Sequence, residues 1–455
     1  MKKYEQYKKL VISLLNFLLM GIFAVLYIYI WYKDYLHLVI NPFLGRGNIV
    51  LVLVYMVLLS LFLIIYGGYK FDVYTVGNII FSQVLSIILA NIVTYFQISL
   101  IARSLLPPRP MLIMTAIEIF IAIIWANVSV HIYRKLYPAH ELLMIYGSNM
   151  VDTLVGKLEK RKDKYNIKEK IDVEVGLDKV YAKIDQYGAV ILCDVKTETR
   201  NKILKYCFEH SVRTYVTPKI SDIIMKGASE VKLFDTPLVV CKNAGLTFEQ
   251  KFLKRLMDVV VSAIILCVTS PIMLITAIAI KLHDKGPVFF RQTRCTIHQR
   301  EFEALKFRSM IVNADKKGAV ALATEKDPRI TPVGRIIRAT RIDELPQLIN
   351  VLKGEMSVVG PRAMAKVVVD ECAQEIPEFA YRSKVKGGLT GYAQTVGKYN
   401  TSAYDKLKLD LMYIENYSIL LDVRLLLTTV KIIFMKESTE GVETAEGEDT
   451  NEKGI

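Results

Sequence analysis

The chain has 455 residues, of which 52% are hydrophobic, and it carries a formal net charge of +14. This length favours two or three domains, and the apolar content is higher than soluble enzymes usually have. Basic residues combined with long apolar runs fit an anionic membrane surface and anionic substrates, whereas no zinc-finger or basic-zipper spacing supports nucleic acid as a partner.

Four apolar runs open the chain, and each is close to the ~20 residues that span a bilayer core. Transmembrane helices are predicted over residues 11–31, 50–66, 79–101 and 111–130. Lysines precede the first run, and Arg134 and Lys135 follow the fourth, which places both ends in the cytoplasm by the positive-inside rule. Arg103 and Arg109 then fall outside, against that rule. A removable signal peptide is the weaker interpretation of the first run, which is too long and has no small-residue cleavage site.

Residues 136–250 change to short β-rich runs that alternate with charged helical segments, the pattern of a βαβ parallel sheet. The runs are LLMIYG, AVILC, VRTYV and PLVVC. The first run ends at Gly147 without a complete G-x-G-x-x-G turn. Tyr215 and Lys219 have the spacing of a dehydratase or dehydrogenase pair, but Pro218 prevents the helix that this pair needs. We therefore expect a degenerate Rossmann-like spacer or assembly domain rather than a nucleotide-binding redox domain.

A fifth apolar run, within residues 255–281, contains Ser270 and Pro271 at its centre. Proline removes a helical hydrogen bond, and a serine hydroxyl can satisfy the carbonyl that is freed. We expect a re-entrant helix that breaks at this pair, enters one leaflet and returns, which keeps the downstream residues in the cytoplasm. The alternative is a kinked helix that spans the bilayer and carries those residues outside.

Residues 286–436 hold the polar motifs and end in segments that combine leucine, tyrosine and lysine. Such segments are typical of amphipathic helices at the membrane interface, or of ordinary core helices. Residues 437–455 are acidic, lack aromatic side chains and are expected to be disordered. The six cysteines and six histidines are scattered without ligand spacing, so we expect buried cysteines in a reducing compartment and no zinc or haem site.

Asp343 and Glu344 lie side by side in the stretch TRIDELPQLINVLKGEMSVVGPR. One interpretation is a helix start, with Asp343 as the N-cap, Pro346 in the first turn and Gly354 past the end. The other is a phosphoryl-transfer site, because guanidinium groups bind phosphate oxygens and an acidic pair can hold Mg²⁺ or supply a nucleophile. Any single cation of the region could equally belong to a surface ion pair. These cations are Arg291, Arg294, Lys306, Arg308, Arg335, Arg338, Arg341 and Arg362.

Residues 254–436 resemble the bacterial sugar transferase family, the monotopic phosphoglycosyl transferases, in their motifs and in the order of those motifs. The motifs are KRLMD, SP within the apolar run, GPVFFRQ, KFRSM, DPRITPVGRIIRATRIDELPQLINVLKGEMSVVGPR and GLTGYAQ. The preceding spans and α/β domain resemble the family's long form, which is reported as a dimer. The resemblance implies a multi-domain protein of the bacterial inner membrane. It would have a four-helix transmembrane bundle over 1–135, the Rossmann-like domain over 136–250 and a mainly α catalytic domain over 251–436 on the cytoplasmic face.

The resemblance also implies a reaction, in which a sugar 1-phosphate passes from a UDP-sugar to undecaprenyl phosphate and UMP is released. This would be the first membrane step of exopolysaccharide, capsule or O-antigen synthesis. Asp343 would attack the β-phosphorus and form a covalent aspartyl intermediate, and Glu344 together with Asp343 would hold Mg²⁺ against the diphosphate. The cations expected to bind phosphate are Lys306, Arg308, Arg338, Arg341 and Arg362. These motifs do not determine which sugar is transferred.

Three alternatives stay open at this point: direct transfer with Asp343 only a metal ligand, a membrane-bound nucleotide-sugar dehydratase that uses the middle domain, and a non-catalytic membrane scaffold. The chain also departs from the family pattern in three places. Cys295, Thr296 and Gln299 stand where a Val-Gly step and a further glycine are usual, and Gly387 replaces a proline before GLTG. Val396 and Lys398 stand where asparagine and arginine are common, so these motifs leave uridine recognition and sugar choice open.

Overall fold

The computed structural model describes residues 5–39, 46–147, 151–159, 161–241, 245–312, 327–397 and 401–433. The chain divides into two compact units, Met1–Pro218 and Lys219–Ile455. The acidic segment 437–455 and the lysines at positions 2 and 3 lie outside the described residues.

Four long apolar helices occupy the regions where membrane spans are predicted, which confirms that these regions are helical and long enough to span a bilayer. They are α1 (Lys8–Ile30), α2 (Arg46–Tyr66), α3 (Val76–Ala102) and α4 (Arg109–Leu136). Five helices of the described residues, these four and a later one, are long and apolar enough to cross a membrane. Side chains such as Phe17 and Leu100 are 75% and 79% exposed, as lipid-facing side chains are. These features indicate a membrane protein.

Polar side chains connect three of the four helices inside the bundle, and sequence patterns did not predict them. Glu118 on α4 is fully buried, and it accepts hydrogen bonds from Tyr55 Oη on α2 at 2.5 Å and from Asn91 Nδ2 on α3 at 2.7 Å. A buried polar group without a partner costs free energy in apolar surroundings. These bonds therefore fix the rotation of α2, α3 and α4 about their axes.

A parallel sheet follows in the same unit, as the alternation of strands and helices predicts. Its strands are β1 (His140–Tyr146), β2 (Tyr165–Asp172), β3 (Ala189–Cys193) and β4 (Arg213–Val216), in the order β2-β1-β3-β4. They are connected through α5 (Val151–Glu159), α6 (Leu177–Ile184) and α7 (Thr197–Glu209). β3 is buried along its whole length, which explains its unbroken apolar sequence. Tyr215 lies in β4 and not on a helix, so it cannot share a helix face with Lys219.

The run PLVVC does not join this sheet, and that prediction was wrong. Its residues form most of β6 (Thr236–Val240), which pairs antiparallel with β5 (Ser229–Leu233) in a separate hairpin. Only Phe234 and Asp235 separate the two strands, and so short a link allows only antiparallel neighbours. The preceding helix α8 (Ile220–Lys226) and the hairpin belong to the second compact unit.

The fifth apolar helix, α9 (Phe248–Asp284), contains 37 residues and is about 55 Å long. It begins with a capping box, in which Thr247 and Gln250 satisfy each other's backbone N–H groups. The helix continues through Ser270 and Pro271 without a gap. Because Pro271 lacks an N–H, the Cys267 carbonyl loses its helical donor, and Ser270 Oγ donates to that carbonyl instead at 2.8 Å. The predicted serine bond is confirmed, but the helix is not interrupted at Ser270 and Pro271 as we expected, because this bond replaces the one that the proline removes. The re-entrant path of the helix stays a prediction.

The remaining elements of the second unit surround a large apolar core and a smaller cluster of Ile280, Phe307 and Ile337, and the region is mainly helical as expected. Its strands form a hairpin of β7 (Phe289–Cys295) with β8 (Glu301–Phe307) and a parallel pair of β9 (Ser357–Val359) with β10 (Gly388–Thr390). Its helices are α10 (Pro332–Ala339), α11 (Gln347–Lys353), α12 (Lys366–Glu375), α13 (Tyr392–Val396), α14 (Ala403–Glu415) and α15 (Ile419–Ile433). The core joins β9 to α12, α14 and α15. This packing brings motifs from distant parts of the sequence together.

Candidate active site

A 3₁₀ turn over Ile342–Glu344 carries the acid pair. The turn begins after Arg341, whose φ of +59° is in the left-handed region. A second 3₁₀-type hydrogen bond, from the Leu348 N–H to the Leu345 carbonyl, joins the turn to α11. Pro346, and not Asp343, is the residue before the first helical residue of α11. The interpretation of Asp343 as a helix N-cap was therefore wrong, because the proline already supplies the backbone angle of a helix start three residues later. Gly354 ends α11 with a φ of +87°, as predicted.

Glu344 is held by two cations from distant segments. Its Oε1 accepts a hydrogen bond from Arg362 Nη2 at 2.6 Å and lies 3.5 Å from Lys306 Nζ. The positive charges of Arg362 and Lys306 outweigh the effect of burial and hold the pKa of Glu344 well below its usual range. Glu344 is therefore a fixed, ionised carboxylate.

Asp343 is in a different state, although it is adjacent in sequence. The residue is only 8% exposed, and within the described part of the chain its carboxylate has neither a hydrogen-bond partner nor an ion pair. Burial and the charge of Glu344 raise the pKa of Asp343, while the charges of Lys306, Arg338 and Arg341 oppose that rise. The acid pair thus combines one paired carboxylate with one that is buried and unpaired.

The cation side of the site is crowded, because Lys306 on β8 lies near two arginines. Burial, together with the charges of Arg294 and Arg362, lowers the pKa of Lys306 to about 8, while the charge of Glu344 opposes that change. Burial and the charge of Arg362 also lower the pKa of Arg294, to about 10. Arg294 donates to the Ala363 carbonyl at 2.7 Å, next to Arg362 in the chain. An anion that entered here would relieve repulsion among these cations.

The structure separates the other predicted phosphate ligands. Arg338 is half-buried and Arg341 is exposed, and the charges of both act on Asp343. Arg308 is buried and pairs with Asp284 at the end of α9, and not with the acid pair. Ser270 and Pro271 lie mid-way along α9.

Buried charged residues of the second unit that were not assigned from sequence lie around VGPR. Lys254 and Asp258 on α9 hold β9, and Arg382 donates to the Arg362 carbonyl at 3.1 Å. The sequence does contain a pattern that could have identified Lys254 and Asp258, because these two charged residues lie four positions apart, on one helix face, at the start of an apolar run.

Two of the departures from the family pattern, at Thr296 and Gly387, contact each other. The Gly387 N–H donates to Thr296 Oγ1 at 3.1 Å, and Thr296 Oγ1 donates to the Glu355 carbonyl at 2.9 Å. A proline at 387 would have no N–H to donate, and a glycine at 296 would have no hydroxyl to accept it. The two substitutions therefore form a hydrogen bond that the usual pair of residues cannot make.

Comparison with known proteins places these motifs in one family. The family model described as "Bacterial sugar transferase" matches residues 249–436. UDP-N-acetylgalactosamine-undecaprenyl-phosphate N-acetylgalactosaminephosphotransferase of Aeromonas hydrophila is 45% identical over 185 residues, which are 40% of this chain and 44% of that protein. UDP-glucose:undecaprenyl-phosphate glucose-1-phosphate transferase of Escherichia coli (strain K12) is 41% identical over 211 residues, which are 45% of this chain and 44% of that protein.

A third relative is shorter than this chain. The uncharacterized sugar transferase EpsL of Bacillus subtilis (strain 168) is 40% identical over 188 residues, which are 41% of this chain and 90% of that protein. The chain thus spans less than half the length of the first two relatives and nearly all of the third. The residues that the family model matches, 249–436, contain the acid pair.

Proposed function

Since the chain belongs to the bacterial sugar transferase family, we propose that it transfers a sugar 1-phosphate from a UDP-sugar to undecaprenyl phosphate and releases UMP. The names of the first two relatives describe such transfers, one of N-acetylgalactosamine phosphate and one of glucose 1-phosphate. Because those names differ in the sugar, they do not fix the sugar for this chain. The product would serve as the lipid-linked start of an exopolysaccharide, capsule or O-antigen.

The observation that carries the proposal is the difference between Asp343 and Glu344. A nucleophile must have free lone pairs, and of these two acids Asp343 is the one whose oxygens no donor among the described residues engages. Burial removes water that would stabilise its charge and compete with substrate. Glu344, in contrast, is held by Arg362 and Lys306 and can orient them and the metal ion.

The reaction proceeds in two displacements at one phosphorus atom. A carboxylate oxygen of Asp343 attacks the β-phosphorus, the bond from this phosphorus to the bridging oxygen breaks, and UMP leaves with that oxygen and its electron pair. An oxygen of undecaprenyl phosphate then attacks the same phosphorus, and the bond to Asp343 breaks and restores the carboxylate. The bond between sugar C1 and its oxygen stays intact, so the anomeric configuration is retained. Lys306, Arg362 and Arg338 offset the phosphate charge.

Glu344 and Asp343 are also the residues that fit Mg²⁺. This ion prefers one or two carboxylates together with phosphate oxygens and water. In the described residues no group of three or more His, Cys, Asp or Glu side chains is close enough to hold a metal ion, so the diphosphate would complete the coordination. When bound, the ion would neutralise charge on the diphosphate that both displacements encounter.

The proposed acceptor defines where the site lies. Undecaprenyl phosphate keeps its chain in the bilayer and its phosphate at the headgroups, while UDP-sugars are cytosolic. We therefore place the catalytic unit at the cytoplasmic face of the inner membrane, with α9 re-entrant. The resemblance to the family's long form is the reason to propose a dimer. Two basic ends support this orientation: Lys8 and Lys9 at the start of α1, and Arg134 and Lys135 at the end of α4.

The test is a UMP-release assay with the purified full-length protein, undecaprenyl phosphate and a panel of UDP-sugars. We expect release with at least one sugar, and a burst of one UMP per active site when the lipid acceptor is left out. Release without a burst would favour direct transfer, in which Asp343 only binds the metal ion. No release with any UDP-sugar would contradict the proposal.

A further inference from the structure

Lys254, Tyr413 and Asp422 form a buried polar cluster where α9, α14 and α15 meet. Lys254 Nζ donates to Asp422 Oδ2 at 2.7 Å and to Tyr413 Oη at 3.1 Å, and Tyr413 Oη donates to Asp422 Oδ1 at 2.7 Å. Lys254 is 5% exposed and Asp422 is fully buried. A buried ion pair adds little net stability, because the loss of hydration offsets the attraction. Stability alone therefore does not explain the cluster.

The cluster binds the strand that leads to the active site. Lys254 Nζ also donates to the Val359 carbonyl at 2.8 Å. One helical turn further along α9, Asp258 accepts hydrogen bonds from Ser357 Oγ and from the Val358 N–H, both at 2.9 Å. All three residues of β9 are thus tied to side chains of α9.

The short segment from β9 to Arg362 has no room to absorb a displacement. The Gly360 N–H donates to the Thr390 carbonyl at 2.8 Å, and a Cβ at Gly360 would lie 2.5 Å from the Lys386 carbonyl oxygen. The Arg362 carbonyl accepts a hydrogen bond from Arg382. A shift of Val359 is therefore passed on to Arg362.

We propose that Lys254, Tyr413 and Asp422 are positioning residues of the transfer reaction, which rests on the proposed function. The cluster fixes the position of Val359. Through Val359 it also fixes the position of the Arg362 guanidinium, which lies 2.6 Å from Glu344. Both α9 and α15 have outward apolar side chains, with Leu274 63% and Leu420 76% exposed. The cluster thus connects helices suited to contact lipid with the group that binds phosphate.

Two tyrosines give a matched pair of variants for the test. Tyr413→Phe removes the hydroxyl of the cluster, whereas Tyr417→Phe removes a buried hydroxyl that has no hydrogen-bond partner among the described residues. The Tyr417 ring lies edge-on to that of Tyr413, with centroids 6.0 Å apart, so both variants alter the same packing region. We expect hydrogen exchange of the backbone amides of residues 357–360 and 362 to become faster in the full-length Tyr413→Phe protein and to stay unchanged in Tyr417→Phe.

The catalytic readout separates positioning from general destabilisation. We expect Tyr413→Phe to lower kcat about tenfold while KM for the UDP-sugar changes much less, since a small misplacement of a catalytic group costs rate. In a protein that already carries Arg362→Lys, Tyr413→Phe should lower kcat by less than about a further twofold, because Tyr413 acts through Arg362. Equal loss of kcat in both backgrounds, or equal exchange in the two phenylalanine variants, would overturn the proposal. The exchange result needs no activity, so it decides the positioning role even if no UDP-sugar releases UMP.

Discussion

Arg362 Nη2 lies 2.6 Å from Glu344 Oε1, so the arginine that ends VGPR holds the second acid of the acidic pair. Lys306 from β8 approaches the same oxygen at 3.5 Å. Neither cation hydrogen-bonds to Asp343, the neighbouring acid, in the described residues. Contacts from distant parts of the sequence therefore make the two adjacent carboxylates different: Glu344 is paired with cations and Asp343 is not.

Asp343→Asn should lower UMP release by at least about 10³-fold, since an amide cannot form the covalent intermediate. The burst without lipid acceptor should disappear as well. Melting temperature and membrane insertion should stay close to those of the wild type, because Asp343 makes no hydrogen bond in the described structure that the amide would break. Asp370→Asn, the same change at an exposed residue of α12, is the control and should keep full activity. A burst of normal size in Asp343→Asn would refute the covalent step.

Glu344→Gln should also abolish transfer, for a different reason. The neutral amide cannot offset the charges of Arg362 and Lys306, so both cations lose their fixed partner. We expect the midpoint of Mg²⁺ activation to rise steeply in any residual activity, which a titration of UMP release against Mg²⁺ would measure. An unchanged Mg²⁺ midpoint would remove Glu344 from the proposed metal site.

The pH dependence of kcat/KM should contain an alkaline limb that belongs to Lys306. Its pKa is lowered to about 8 by burial, and only the protonated form can bind phosphate charge. The side chain is charged below this pH and neutral above it, so kcat/KM should fall as the pH rises through about 8. In Lys306→Arg the limb should move to higher pH, because a guanidinium stays protonated. If kcat/KM of Lys306→Arg fell at the same alkaline pH as that of the wild type, the titrating group would be one other than Lys306.

The long elements of the fold could be predicted because one strong pattern defines each of them. Apolar runs of about 20 residues specify α1 to α4. β2 was missed, since it is the edge strand of its sheet and its sequence YNIKEKID has few apolar residues. PLVVC was recognised as a strand, but its partner depends on the two-residue link to β5, which excludes a parallel arrangement.

The residues of the candidate site could be predicted from the sequence, but the pairing of its cations with its acids could not. The sequence identified Asp343, Glu344 and most of the surrounding cations. It could not show that Arg362 and Lys306 select Glu344, because that choice depends on how β8 and the VGPR loop pack against the 3₁₀ turn. It also could not show that Arg308, in the motif KFRSM, pairs with Asp284 at the end of α9.

The hydrogen bond between Gly387 and Thr296 predicts that substitutions at these positions are not additive. Gly387→Pro should destabilise the protein by about 2 kcal/mol, because it removes the donor to Thr296 Oγ1 and brings a Cβ to 2.9 Å from that of Ala363. In the Gly387→Pro protein, Thr296→Gly should lower the free energy of unfolding by about 1 kcal/mol less than it does in the wild type. The reason is that the Thr296 hydroxyl has already lost its donor in Gly387→Pro. Denaturant unfolding of the four proteins measures the coupling. Thr293→Gly, at an exposed residue of β7, should combine additively with Gly387→Pro.

The side of the membrane on which Glu301 lies decides between a re-entrant and a spanning α9. We expect a cysteine at this exposed position to react with a membrane-impermeant maleimide only after cells are permeabilised. The experiment uses a protein whose six native cysteines are replaced by alanine and whose UMP release matches the wild type. Ser104→Cys, between α3 and α4, should react in intact cells, and Glu198→Cys on α7 should not.

These two controls fix the two sides of the bilayer independently of α9. If Glu301→Cys reacted in intact cells like Ser104→Cys, α9 would cross the membrane and carry Asp343 away from cytosolic UDP-sugars. The transfer reaction would then lack its donor, however well the acid pair is arranged. Reaction like that of Glu198→Cys would place both substrates within reach of the same carboxylate.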